Sequence, residues 1–220
     1  MDQKKPFFIT TPIYYVNGLP HIGHAYTTVA ADVIARYRRL AGEEVFFSTG
    51  TDEHGIKIQK KAEEEGKEPQ AFADEIAQAF KDLWDRLGIG YDRFIRTTEA
   101  PHVAAVEKVL QELYDRGAIY KGTYEGLYCS GCEQFKTEDD LADGKCPEHD
   151  RVPEFTKEES YLMKMTVIQG ELRRRIESDE LLVTPEKYKA EILSFLGGET
   201  LEDVSISRKN VAWGIPLPFD

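Results

Sequence analysis

Three cysteines and a histidine fall in one window of the chain, as Cys129-x2-Cys132-x13-Cys146-x2-His149. Thiolate and imidazole hold zinc tetrahedrally, and ligand pairs two residues apart come from tight turns. Such turns aim backbone N–H groups at the sulfurs, and Gly131 inside the first pair suits them. A disulfide framework or unrelated surface thiols are the alternatives. Three cysteines cannot all pair, however, and nothing in the sequence suggests export. The spacing therefore predicts one zinc ion. Four protein ligands would close its shell, which is the mark of a structural rather than a catalytic site. The loop it staples is acidic, with Glu133, Glu138, Asp139, Asp140 and Asp143 against Lys136 and Lys145, and is too small to fold by burial alone.

A second constellation lies in "NGLPHIGHAYTTVAADVIARYRRLAG", which begins as a turn and ends as a helix. His21 and His24 stand where one becomes the other. Helix N-termini attract phosphate through unpaired N–H groups and the positive end of the macrodipole. Imidazole there can donate to phosphate oxygens and stabilise charge developing at an α-phosphate. Gly23 leaves no side chain between the two rings, so a flat base or ribose could approach the backbone. A capping histidine beside a packed one would account for the same letters.

These residues need a scaffold. "PFFITTPIYYV" is a short apolar run closed by Asn17-Gly18, which predicts a strand and a turn. Val29, Val33, Ile34, Tyr37 and Leu40 then recur at helical spacing until Gly42, and "EVFFSTG" predicts a second buried strand ending at the loop "TDEHG". Strand, helix, strand implies a parallel βαβ unit, in which ligands sit beyond the carboxyl ends of the strands. Two more helices follow, one with Phe72, Ile76, Phe80, Leu83 and Leu87 on its stripe. The other carries Val103, Val106, Val109, Leu110 and Leu113 between Pro101 and Gly117. At about Tyr120 the texture shifts to Gly, Tyr and charge. Beyond it "SYLMKM" and "LEDVSISR" look strand-like, with helices near 167–176 and 185–196.

Composition sets the outer limits. Lys and Arg total 28 against 40 Asp and Glu, a formal charge of -12. That balance repels a polyanion, so no DNA partner is expected, and any RNA contact must be local. "RYRR" (Arg36 to Arg39) and "RRR" (Arg173 to Arg175) suit solvated helix faces better than a phosphate track. No apolar run approaches the roughly 20 residues of a membrane span, and the start has no cleavage site of a signal peptide. The expectation is a cytoplasmic protein with no membrane partner.

The longer stretches "TTPIYYVNGLPHIGHAYTTVAAD" and "FFSTGTDEHG" give this chain a family likeness. "H-I-G-H" after a strand and turn resembles the first signature of class I aminoacyl-tRNA synthetases. With "YEGLYCSGC", "EDVSISR" and "WGIPLPFD", the sequence resembles the methionyl-tRNA synthetase family over essentially all 220 residues. The resemblance implies an α/β fold: a Rossmann-like parallel core carrying an inserted α+β connective domain with a zinc knuckle. It divides the chain into residues 1–119 (first half of the core), 120–208 (insert, knuckle at 129–149) and 209–220 (start of the return to the core). It implies that His21 and His24 contact ATP phosphates and act in catalysis, with Gly23 near the adenosine. Ile13 and Tyr15 would line the methionine pocket, and Asp52 would bind the ammonium. Without the likeness, Asp52 would pass for a turn or N-cap residue. The implied substrates are L-methionine, ATP with magnesium as its cosubstrate ion, and initiator and elongator tRNA(Met).

The sequence also departs from that family. Its second signature, of K-M-S-K-S type, is missing, and Lys164-Met165-Thr166-Val167-Ile168 only imitates the first letters within the insert. "WGIPLPFD" stands where the family continues, which predicts an N-terminal fragment with little aminoacylation of its own. Ser160, Leu162 and Met163 replace the usual asparagine and aromatics of one strand. Two rival functions follow: a non-catalytic, zinc-stapled module that binds nucleotide or amino acid, and another HIGH-type synthetase or adenylyltransferase.

Overall fold

The computed structural model describes residues 6–129, 131–132, 134–198, 201–207 and 211–220. The chain divides into two compact units, Met1–Lys108 with Val211–Pro216, and Val109–Asn210 with Leu217–Asp220. Among the described residues no helix is long and apolar enough to cross a membrane.

The first unit is a parallel α/β layer. Strand β3 (Val45–Asp52) pairs in parallel with β1 (Phe7–Thr10), β2 (Tyr14–Tyr15) and β4 (Arg93–Arg96). Helix α1 (Ile22–Leu40) connects β2 to β3. The strand expected over "PFFITTPIYYV" is therefore two strands. Thr10 pairs with Ser48 and Tyr14 with Thr51, so four steps on one chain oppose three on the other. This is a bulge, placed at Pro12, which has no N–H to give the ladder. Its consequence is a change of phase. Thr11 is buried before it and Tyr14 and Val16 after it, while Ile13 and Tyr15 turn outward.

Helix α1 forms where the spacing predicts it, but the large apolar residues of that spacing are not its contact face. Its buried residues are Thr28, Ala31, Asp32 and Ala35. The stripe of Val29, Val33, Ile34, Tyr37 and Leu40 is exposed, Leu40 by 89%. Small side chains let the helix approach the sheet closely, and Asp32 is tolerated because it accepts from the Gly90 N–H at 2.8 Å and pairs with Arg36 at 2.5 Å. The other "RYRR" arginines are pins too: Arg38 pairs with Glu43, and Arg39 with Asp92 at 2.6 Å.

Helix α2 (Ile56–Glu64) was not legible, since only Ile58 and Ala62 of its nine residues are buried. Helix α3 (Pro69–Leu87) buries Phe72, Ile76 and Phe80 as its periodicity requires, with Trp84 also buried and Leu87 left exposed. Phe72, Ile76, Phe80 and Trp84 join Tyr14, Val16, Ile58 and Phe94 in one core cluster.

The boundary between the units falls within α4 (Ala100–Asp115), whose apolar stripe is only half buried. The second unit is an antiparallel sheet of order β6-β5-β7-β8. It is built on the long pair β5 (Ile119–Cys129) and β7 (Glu154–Met163), with β6 (Gln134–Lys136) and β8 (Val204–Ser205) outside them. Helices α5 (Thr166–Glu177) and α6 (Glu186–Gly197) complete it. The "RRR" run is ion-paired with Glu171, Glu177 and Glu180, a solvated face as expected. Lys164 donates to the Gly117 carbonyl at 2.8 Å and lies over the Tyr120 ring, a structural post rather than a mobile clamp. Ser160 has a role of its own. Its hydroxyl bonds those of Ser205 at 2.5 Å and Ser207 at 3.2 Å, tying "SIS" to β7. Arg208, Glu133 and the side chain of Asp139 lie outside what is described.

Candidate functional site

The two histidines of "HIGH" make a reciprocal cap. His21 is the N-cap of α1 in extended conformation (φ -128°), and its Nδ1 accepts from the Gly23 N–H at 3.1 Å. His24, three residues on, accepts the His21 N–H at its own Nδ1, at 3.2 Å. This is the geometry of a capping box with imidazoles in place of hydroxyl and carboxylate. The rings stack with centroids 3.7 Å apart. Because each Nδ1 is an acceptor, the neutral ring carries its proton on Nε2 and keeps that N–H for a ligand. Burial, and then the neighbouring His21, hold His24 below its ordinary pKa, favouring that neutral form. Capping and ligand binding thus use different nitrogens of the same rings, so the two interpretations of the histidines are compatible.

Gly23 also has a local reason to be glycine. A Cβ there would stand 2.9 Å from His21 Cε1 and 3.1 Å from its Nδ1, so glycine makes room for the imidazole cap itself.

The outward turn after the bulge brings Ile13 and Tyr15 to the same place. Ile13, Tyr15, Asn17, Leu19, His21 and His24 line one cavity of about 400 Å³. Its floor is firm. Tyr14 stacks on Phe80 at 5.6 Å and bonds Thr28 Oγ1 at 2.8 Å, and the His24 ring packs 4.8 Å from Tyr14 and 5.1 Å from Phe80. Asp52, the last residue of β3, pairs in register with Tyr15, and its carbonyl accepts the Val16 N–H at 3.4 Å. Of the predicted residues, then, Ile13, Tyr15, His21 and His24 share the cavity, with Gly23 between the histidines and Asp52 one strand from Tyr15.

Next to Asp52 lies a buried charge that the sequence pattern does not single out. Glu53 is fully buried and accepts from Arg96 Nε at 2.7 Å, Arg96 Nη2 at 2.9 Å, Thr51 Oγ1 at 2.6 Å and Thr98 Oγ1 at 2.5 Å. Strand alternation was the available signal, since the neighbour of an outward Asp52 must point inward. Trp213 closes the loop from above. Its indole donates to the Glu53 carbonyl at 2.5 Å and its own carbonyl accepts the Gly55 N–H at 3.0 Å. Gly55 has φ 115°, a conformation that admits only glycine comfortably. His54, half buried beside Trp213, is held below its ordinary pKa by burial, against the opposing pull of Asp52 and Glu53.

In the second unit the four expected metal ligands converge. One donor atom from each of Cys129, Cys132, Cys146 and His149 lies within 4.8 Å of all the others. Cys132 Sγ is 3.4 Å from Cys146 Sγ and from His149 Nδ1, and Cys146 Sγ is 3.9 Å from that Nδ1. A zinc tetrahedron with bonds of about 2.0–2.3 Å has edges of about 3.5–3.8 Å, so the donor set fits the ion. Backbone N–H groups of Cys132 and Gly131 point at the Cys129 sulfur and hold its pKa down, as the turn argument required. A Cβ on Gly131 would come within 2.4 Å of His149 Cγ, so this glycine also admits the imidazole.

Comparison with known proteins matches the chain to the family model described as tRNA synthetases class I (M), over residues 7–152 and 138–220. The methionine–tRNA ligase of Clostridium acetobutylicum is 50% identical over 220 residues, covering 100% of this chain and 34% of that protein. That of Streptomyces coelicolor is 45% identical, covering 98% of this chain and 42% of the relative. The crystal structure of Mycobacterium tuberculosis methionyl-tRNA synthetase bound by methionyl-adenylate superposes with a TM-score of 0.90 at 36% identity. It spans 97% of this chain and 43% of that one. The chain spans about a third to two fifths of the length of these curated relatives.

Proposed function

The chain belongs to the methionyl-type class I tRNA synthetase family, and on that premise we propose that its first unit binds ATP and L-methionine for methionyl-adenylate formation. The observation that carries this reading is the single cavity shared by the outward Tyr15 and Ile13 and the capping His21 and His24. Methionine lies along Ile13 and Tyr15, with its ammonium at the Asp52 carboxylate. The ATP phosphates lie at the α1 N-terminus, where His21 and His24 donate from Nε2 and Gly23 lies by the adenosine. Methionine's carboxylate oxygen attacks the α-phosphorus in line. A new P–O bond forms as the bond to the β-phosphate breaks, and pyrophosphate leaves with the electron pair. No side-chain nucleophile is needed, so positioning and charge stabilisation do the work. Magnesium accompanies ATP as a cosubstrate ion. Transfer to initiator and elongator tRNA(Met) belongs to the whole protein, as does its cytoplasmic setting.

Cys129, Cys132, Cys146 and His149 hold one zinc ion, which supplies a structural cross-link and no reaction step. The core-and-insert division, with residues 1–119 and 209–220 as core and 120–208 as insert, is part of the same proposal. Of the two rival functions, another HIGH-type synthetase or adenylyltransferase is less well supported, because the matched family is the methionyl one; a non-catalytic binding module would use the same cavity and differ only in forming no adenylate.

Calorimetric titration tests this reading. L-Methionine should bind more tightly than L-leucine or L-glutamine, and Asp52→Ala should weaken it tenfold or more, the value of a charge-assisted hydrogen bond of about 1.5–3 kcal/mol. Equal binding of all three amino acids, indifferent to Asp52, would reject it.

A further inference from the structure

We infer that Glu53 is a positioning residue for methionine recognition, acting through Asp52 and held by Arg96, Thr98 and Trp213. The inference rests on the proposed role of Asp52 and extends it to groups that touch no substrate. Asp52 ends β3, where ladder hydrogen bonds run out and a loop would ordinarily fray. Here the next residue is fixed at every polar atom. Its carboxylate accepts four hydrogen bonds, two of them from the Arg96 fork. Its N–H donates to Thr97 Oγ1 at 2.8 Å and its carbonyl accepts from the Trp213 indole. Arg96 is itself held by Asp74 at 2.6 Å, so the guanidinium cannot rotate away from Glu53 without breaking a second ion pair.

The two flanking strands complete the frame. β2 pairs Tyr15 with Asp52 on one side, and the chain leaving β4 donates the Thr97 N–H to the Thr51 carbonyl at 3.3 Å on the other. Residues 51 to 53 thus cross between two anchored neighbours, and the inward lock on Glu53 sets the direction in which Asp52 leaves the sheet. A site held to within about 0.5 Å needs supporting contacts of this kind. A buried ion pair need not stabilise a fold more than apolar packing would, so a placement role gives a reason for an otherwise costly choice.

The test compares wild type, Thr98→Val and Glu53→Gln. Thr98→Val removes one hydrogen bond to the carboxylate and keeps the ion pair. Glu53→Gln keeps the shape but sets an amide N–H against Arg96. L-Methionine and ATP dissociation constants are measured by calorimetry on samples whose thermal unfolding remains cooperative. Methionine binding should weaken about threefold to tenfold in Thr98→Val and more in Glu53→Gln, with ATP binding within twofold of wild type. A folded Thr98→Val with wild-type methionine affinity would overturn the inference, as would equal losses for both ligands, which mark a merely structural role. If wild type binds no methionine, the proposed function fails and takes this inference with it. If wild type binds and the variants match it, only the inference fails.

Discussion

Gly23→Ala sets two known effects against each other at the mouth of α1. Replacing a helical glycine by alanine gains about 0.8–1 kcal/mol of helix propensity. The new Cβ, however, meets the His21 ring at 2.9 Å, and the ring is the N-cap. Displacing it forfeits a cap of about 1 kcal/mol. The two terms cancel, so thermal stability should change by less than about 0.5 kcal/mol. His21→Ala loses the cap with no such gain, and about 1 kcal/mol should lower its Tm by roughly 4 °C for a unit of this size. Ligand affinity separates the variants from wild type more sharply. A displaced or absent His21 cannot donate to phosphate, and one charge-assisted hydrogen bond is worth about 1.5–3 kcal/mol. Both variants should therefore bind ATP about tenfold to a hundredfold more weakly, by titration calorimetry beside a melting curve. A Gly23→Ala protein stabilised by a full 1 kcal/mol or so, with ATP affinity intact, would refute the capping argument.

Other perturbations follow from the same contacts. Arg96→Ala leaves the Glu53 carboxylate buried without its partner, a loss of about 3–5 kcal/mol that should show as a Tm fall of 10 °C or more; a loss below about 1 kcal/mol by denaturant titration would mean that the pair is not needed there. Elemental analysis should find one zinc per chain, and Cys146→Ser should release it and lower the unfolding temperature of the second unit, while zinc content unchanged by that substitution would remove Cys146 from the donor set. Burial depresses the pKa of His24 and His54, so below about pH 6.5 the unfolded chain binds more protons than the folded one, and stability should fall as pH drops through that value. His54→Gln should flatten part of that slope, and a Tm profile rising between pH 7.5 and 5.5 would contradict the assignment.

The legibility of this chain varied with the kind of signal involved. Periodic apolar stripes on burying helices were plain, as Phe72, Ile76 and Phe80 on α3 demonstrate. The same rule placed α1 correctly but did not mark its contact face, which is Thr28, Ala31, Asp32 and Ala35, because a helix packed closely on a sheet buries small residues rather than large ones. The bulge at Pro12 was invisible to pattern, since alternation on either side of it is regular and only pairing with β3 exposes the extra residue. Local spacing, by contrast, carried the cysteine cluster almost whole, because turns fix ligand distances independently of the rest of the fold. The histidine pair was half legible. Its place at a helix mouth followed from sequence, whereas the reciprocal use of the two Nδ1 atoms required coordinates. Glu53 was hidden because its meaning depends on Arg96 and Trp213, which are remote in sequence.

The most direct test of the account is the protonation and contact state of the two capping rings. The chain has only five histidines, so imidazole ¹⁵N resonances can be assigned by single substitutions. Long-range ¹H–¹⁵N spectra should show the Nδ1 of His21 and of His24 as acceptors, with the ring proton on Nε2, and saturating ATP should shift both Nε2 resonances while the Nδ1 resonances stay in place. Rings protonated on Nδ1, or Nε2 resonances that ignore ATP, would contradict the claim that this helix cap is a phosphate site.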